Sequence, residues 1–220
     1  MSRALGIAFL LQATTSLISG LILKAVLRGS DNIGATMANI ANHAGLIRAN
    51  ILGEMMTAAG VVFLGGALFV VLRRYNELMA LVAFGLYILE EALLMVSRIP
   101  ALSLPRISQE YVAAGHPAAD LQATAAGALD FMSSGYTLLM VPFCLGAILF
   151  YYLFYKSRII PRALSLWGLI AVALALAGTL LAISGFAIPF AIYLPYLPFE
   201  FVVGIWILAK GLNVASGTHA

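Results

Sequence analysis

From Ala163 to Ala209 the chain carries one charged residue, Glu200. As a single helix this run would be about 70 Å long, more than twice the roughly 30 Å of hydrocarbon in a bilayer. It must double back, and Ser184-Gly185 followed by Pro189 is where a turn costs least. A pair of apolar helices joined by an uncharged bend suits a bilayer and not a water-facing domain.

The rest of the chain repeats the pattern. Crossing segments are expected at about residues 4–27, 51–72, 78–97, 130–155, 163–185 and 189–209 of a single transmembrane domain covering 1–220. With 63% hydrophobic and 10% charged residues, the chain is too poor in charge for a soluble surface and too apolar for disorder. The expected fold class is an all-α, polytopic transmembrane helical bundle of six spans, with room for a seventh. The stretch from Arg3 to Leu27 is longer than a signal-peptide core and no A-x-A site follows it, so it reads as a retained first helix.

Six spans put both termini on one side. Arg3, Arg73, Arg74, Lys156, Arg158, Arg162 and Lys210 fall on that side; Lys24, Arg28, Arg48, Arg98 and Arg106 fall on the other. The basic connectors on the terminal side are short, which places both termini in the cytoplasm of a multi-pass protein of the cell (inner or plasma) membrane. The net charge of +3 is spread between apolar runs, so the expected partner is the lipid bilayer and not nucleic acid. The single cysteine, Cys144, permits no intrachain disulfide. No CxxC, Walker loop, GxSxG, HExxH or GxGxxG occurs, and no cofactor is expected. His43 and His116 share the non-cytoplasmic loops with Asp120 and Asp130, but their spacing builds no metal site, and His219 lies in a polar tail.

The two long loops have structure of their own. Ile33, Met37, Ile40 and Ile47 recur at helical spacing within Asp31–Asn50 and predict a short interfacial helix. Arg106–Gly115 holds another turn or two, His116-Pro117 breaks it, and the next helix begins near Ala119. On the fifth span Gly168, Ala171, Ala175, Gly178, Ala182 and Gly185 form a stripe of small residues. Such a stripe serves an internal packing seam more often than a homo-oligomer interface; both readings stand here. Phe150, Tyr151, Tyr152, Phe154 and Tyr155 read as an interfacial aromatic belt just before Lys156.

Depth sorts the charges. Counting from the cytoplasmic boundary at 1.5 Å per residue, Glu200 lies about 15 Å in, Glu90 and Glu91 about 20 Å, Glu54 about 28 Å, and Asp130 about 39 Å. Arg48, Arg98 and Lys24 reach the outer margin. The cytoplasmic halves of the helices carry no charge, and Gln12 is their main polar side chain. Each carboxylate at mid-depth costs about 2.5–3.5 kcal/mol, a penalty relieved by pairing, protonation or water. Glu91 and Arg98 share a helix face with Tyr87, whereas Glu90 and Glu91 point about 100° apart. Asp130, Ser133, Ser134, Thr137 and Cys144 share another face. Pro189, Pro195 and Pro198 break the outer half of the last span, and Pro198 suits the first turn of a fresh helix that carries Glu200.

Intramembrane acids are functional candidates by default. The expected site is a polar, carboxylate-lined pocket in the outer half of the bundle. Its candidates are Glu54, Glu90, Glu91 and Glu200, with Asn50, Tyr87 and Asp130 beside them and Arg48 and Arg98 at the mouth. Such a pocket fits a protein that binds or senses a small amphiphilic ligand or lipid, or a component of a transporter. Two alternatives stay open: a structural or assembly subunit whose acids only pair internally, and an intramembrane enzyme using two carboxylates on a lipid-like substrate.

The stretch Phe150–Leu169, FYYLFYKSRIIPRALSLWGL, resembles the signature of a bacterial membrane-protein family known as domain of unknown function 4386. Tyr155, Ser157, Arg158, Ile160, Pro161, Arg162, Leu164, Ser165, Trp167 and Gly168 occupy its pattern. Ile47–Glu54, Arg73-Arg74-Tyr75, Glu90-Glu91 and Trp206–Gly211 are similar to it as well. The resemblance implies a six- or seven-helix integral membrane protein and supplies no catalytic residues. On the residues alone, the signature is a basic topogenic turn, with Pro161 starting the fifth span and Trp167 near the headgroups.

Overall fold

A backbone that crosses hydrocarbon must satisfy its own N–H and C=O groups, which a helix does within one segment. The computed structural model describes residues 2–27, 32–115 and 118–212. Arg28, Asp31, His116, Pro117 and His219 lie outside the described residues. In chain order the helices are α1 (Ser2–Leu27), α2 (Ile33–Asn42), α3 (Ala44–Leu72), α4 (Glu77–Ser97), α5 (Leu104–Ala114), α6 (Ala119–Ser157), α7 (Arg162–Ile183) and α8 (Tyr196–Lys210). Single 3-10 turns at Ile99–Leu102 and Phe190–Tyr193 precede α5 and α8. Six helical stretches are long and apolar enough to cross a membrane, and no strand occurs among the described residues. The protein is an all-α, multi-pass membrane bundle.

Local chemistry sets the boundaries. The Asn32 side chain accepts a hydrogen bond from the Gly34 N–H at 2.8 Å and opens α2. Asn76 does the same for α4 through Met79 at 3.0 Å. Gly115 ends α5 in the left-handed region at φ 65°, where glycine carries no Cβ penalty. Arg158 ends α6 in that region too, at φ 58°, although it is not a glycine. This turn tucks Ile159 and Ile160, fully buried, beneath the bundle while Arg158 stays exposed.

The spans pack as a closed ring: α1 against α3, α3 against α4, α4 against α6, α6 against α7, α7 against α8, and α8 back against α1. The α1–α8 closure needs a very close approach. A Cβ at Gly6 would lie 2.9 Å from the Gly204 carbonyl oxygen and 2.7 Å from the Leu208 nitrogen. Toward the end that carries both termini the ring is filled by apolar side chains, among them Leu5, Phe9, Leu68, Phe150, Phe154 and Ile207, each no more than 1% exposed. The opposite end is capped. There α6, about 58 Å long and so longer than the bilayer core, packs Ala125 and Met132 with Met37 of α2 and with Leu104 and Ile107 of α5.

Three expectations change in detail. The aromatic cluster before Lys156 is mostly core: Phe150, Tyr151 and Phe154 are fully buried, and only Tyr152 is exposed. These residues fall on successive inward positions of a helix packed on both sides, which overrides the aromatic preference for the interface. Trp167 likewise turns inward, its indole N–H donating to the Pro195 carbonyl at 3.1 Å. The last helix starts at Tyr196, two residues before the expected Pro198. Proline is tolerated there because the first four N–H groups of a helix have no partner inside it.

The small-residue stripe of α7 is covered from within the chain. Gly168, Ala171, Ala175 and Gly178 are buried, Gly168 against the Phe199 ring and Gly178 against Ile192; Ala182 is half-buried. From Gly168 to Gly178 it is an internal seam. The helix faces turned away from the ring expose large apolar side chains such as Leu52, Met56, Phe63 and Leu78, as lipid contact requires.

Candidate functional site

The four intramembrane acids interact in series, Glu54 with Glu91, Glu91 with Glu90 and Glu90 with Glu200, and divide into two partnered acids and two with a free oxygen. Glu54 on α3 accepts from Arg98 Nε in a salt bridge whose two side chains are 8% and 7% exposed. Arg98 sits at the C-cap of α4, where the helix dipole favours a cation. Two clasps hold α1 to α3 beside this pair. The Asn50 amide donates to the Ser19 carbonyl at 2.8 Å, and the Thr57 hydroxyl donates to Thr15 Oγ1 at 2.8 Å.

Glu200 on α8 is the other partnered acid. Its Oε1 accepts from Gln12 Nε2 at 2.8 Å and from the Tyr196 hydroxyl at 2.9 Å. Tyr196 shares a second short contact, 2.8 Å, with the Tyr151 hydroxyl of α6. A tyrosine has one O–H to give, and Tyr196 spends it on Glu200, so Tyr151 is the donor to Tyr196. The chain Tyr151–Tyr196–Glu200–Gln12 thus joins α6, α8 and α1 across the ring. Edge-on rings support it: Tyr151 on Phe199 at 4.9 Å, Phe143 on Tyr196 at 5.2 Å, and Tyr87 on Phe150 at 5.2 Å between centroids.

Glu90 and Glu91 are consecutive on α4 and face different neighbours. Glu90 interacts electrostatically with Glu91 and then with Glu200, and lies toward the ring interior; Glu91 interacts also with Glu54 and lies toward α3. Both are at least nine-tenths buried, at 9% and 5% exposure. In each, Oε2 is buried and has no hydrogen-bond partner. Glu91 also reaches the floor of a groove of about 580 Å³ between α3 and α4, walled by Ala58, Ala59, Val62, Phe63 and Ile88. Arg98 is already engaged, and among the described residues no donor serves either free oxygen.

The remaining candidates separate from this group. Tyr87 is buried beside Phe150 and within electrostatic range of Glu90, Glu200 and Tyr151. Arg48 and Asp130 are exposed and form no ion pair among the described residues. His43 engages the Asn39 carbonyl at 2.9 Å through its own ring. Gln12, Tyr151 and Tyr196 are the members the residue pattern missed as site residues. Two signals were available for the tyrosines. Tyr196 lies one helical turn before Glu200, and Tyr151 lies seven residues after Cys144, continuing its face.

No curated protein and no solved structure matches the chain. A family profile matches residues 4–211, nearly the whole chain and every element of this ring. The protein belongs to the family described as domain of unknown function (DUF4386).

Proposed function

We propose that the protein binds and senses a small ligand with a cationic, hydrogen-bond-donating head, held within the bundle by Glu90 and Glu91. One observation carries this reading: two carboxyl groups, each at least nine-tenths buried, have an oxygen with no partner. An unsatisfied buried acceptor costs about 1–3 kcal/mol, and more when charged, so two side by side are expensive unless a donor fills the gap. Four acids stand against Arg98, the one buried arginine among the described residues, which favours a cation over an anion. The apolar filling toward the terminal end favours binding and sensing over conduction, since it leaves solutes no wet route.

Glu54 and Arg98 support a structural role within the same site, since each already has its partner. A single transmembrane domain with both termini in the cytoplasm completes the reading. Arg73, Arg74, Lys156, Arg158, Arg162 and Lys210 all stand exposed at the terminal end, as the positive-inside rule requires of the cytoplasmic side. Single cysteines placed at Asn76 and Glu110 in a Cys144→Ala background test this. Only the second should react with an impermeant thiol reagent in intact cells.

The binding test uses the full chain in lipid nanodiscs with ethanolamine as probe and N-acetylethanolamine as its uncharged control. Ethanolamine should raise the melting midpoint, and Glu90→Gln and Glu91→Gln should abolish the rise while folding in normal yield. If ethanolamine has no more effect than its neutral control at equal concentration, the reading is wrong.

A further inference from the structure

We infer that the groove between α3 and α4 is a lateral binding site for a single-chain amphiphilic amine drawn from the surrounding leaflet, its N–H head on Glu91. This rests on the binding function proposed above and names its ligand class and its point of entry.

The groove is open along its lipid side and has a volume of about 580 Å³, room for one hydrocarbon chain laid along it. Ala58, Ala59 and Ala92 leave the slot open where larger side chains would close the α3–α4 seam. Phe63 and Ile88, 62% and 44% exposed, flank it on the lipid side. Among its lining residues Glu91 alone is charged, 5% exposed and with Oε2 unpartnered.

Depth orients the occupant. Glu91 lies about 21 Å along α4 from the terminal end, and Met95 about 27 Å, close to the opposite surface. Val62, Phe63 and Ile88 lie near 15–17 Å, at the middle of the bilayer. A molecule with its head at Glu91 and its tail along Phe63 and Ile88 therefore runs in the same sense as a lipid of the capped-end leaflet. The head must supply an N–H, because the free group is an acceptor. It should carry positive charge, because Glu54 and Glu90 are both in electrostatic range of Glu91 and Arg98 is spent on Glu54. The tail must be apolar, because Val62, Phe63 and Ile88 line the groove below Glu91, and single, because a volume of about 580 Å³ suits one chain better than two. Lipid or detergent tails alone would fill the groove but offer the Glu91 carboxyl no donor.

The test uses the full chain in nanodiscs with dodecylamine, compared with dodecanol and dodecyltrimethylammonium at equal mole fraction. Native mass spectrometry counts retained molecules, and the melting midpoint reports coupling to the fold. Wild type should retain one dodecylamine and bind it at least tenfold more tightly than dodecanol, which lacks the charge, or dodecyltrimethylammonium, which lacks the N–H. Glu91→Gln should lose that preference. Ala59→Phe, which fills the slot without touching a polar group, should lose dodecylamine while keeping the wild-type midpoint in its absence. Equal retention of dodecanol, or undiminished dodecylamine binding by Ala59→Phe, overturns the inference. If Ala59→Phe still binds dodecylamine and Glu90→Gln does not, the lateral site fails and the carboxylate-binding function stands. If neither ethanolamine nor dodecylamine binds, both fail.

Discussion

Removing Arg98 should damage this protein more than removing its partner, and the difference can be worked from the geometry. Arg98 and Glu54 form an ion pair with less than a tenth of either side chain exposed. Breaking a buried pair by deleting one member costs about 3–5 kcal/mol, because the survivor keeps its desolvation penalty and loses its partner. Arg98→Met places the full cost on Glu54 and adds to it, since Glu91 is in electrostatic range and the two acids then face each other uncompensated. Glu54→Gln is milder, about 1–3 kcal/mol. The arginine keeps an amide oxygen as acceptor and has Glu91, two turns back on its own helix face, as a substitute anion. At 1.4 kcal/mol per tenfold, Arg98→Met shifts the folded-to-unfolded ratio by about two to four powers of ten. The assay is reversible unfolding by SDS titration from mixed micelles, followed by far-UV circular dichroism. The double variant Glu54→Gln, Arg98→Met should recover part of the single-variant loss. A loss below about 1 kcal/mol for Arg98→Met would mean the pair behaves as a wet surface bridge. A double variant as unstable as the sum of the singles would show that the two groups do not act on each other. Either result refutes the reasoning.

Other consequences are simpler to read. Arg158→Gly relieves a left-handed residue and should stabilise the fold by about 1 kcal/mol in the same titration, whereas Arg158→Ala should not. Tyr196→Phe removes a hydrogen bond to a carboxylate and should cost about 1.5–3 kcal/mol. Tyr151→Phe removes only the outer link of that chain and should cost about 0.5–1.5 kcal/mol, with the double variant less than additive. Gly168→Leu drives a side chain into the Phe199 ring and should lower the melting midpoint sharply. Its oligomeric state, read by light scattering, should not change, because that face is spent inside the chain.

Hydrophobic run length is set by bilayer thickness alone, so the spans could be read without knowing what each helix packs against. The amphipathic α2 and α5 were legible for a related reason, since an interfacial helix has one wet side and one dry side. Inside the bundle that contrast vanishes. Lipid and protein core are equally apolar, so no periodicity tells Tyr151, which faces Tyr196, from Tyr152, which faces outward. The aromatic belt was misread on this account. Arg98 and Glu91 share a face of α4, yet Arg98 takes Glu54 from another helix, because partner choice depends on which helix the ring sets alongside. Helical geometry did separate Glu90 from Glu91 by about 100°. That angle aims Glu90 at Glu200 and the ring interior, and Glu91 at α3 and the lipid-side groove. Adjacent acids on one helix repel each other, so a cationic donor at either relieves both. A ligand that reaches Glu91 from the lipid acts on the residue next to Glu90, and Glu90 faces the hydrogen-bonded chain that ties α8 to α1 and α6. Occupancy of the groove would then be felt at the ring closure through a single peptide unit.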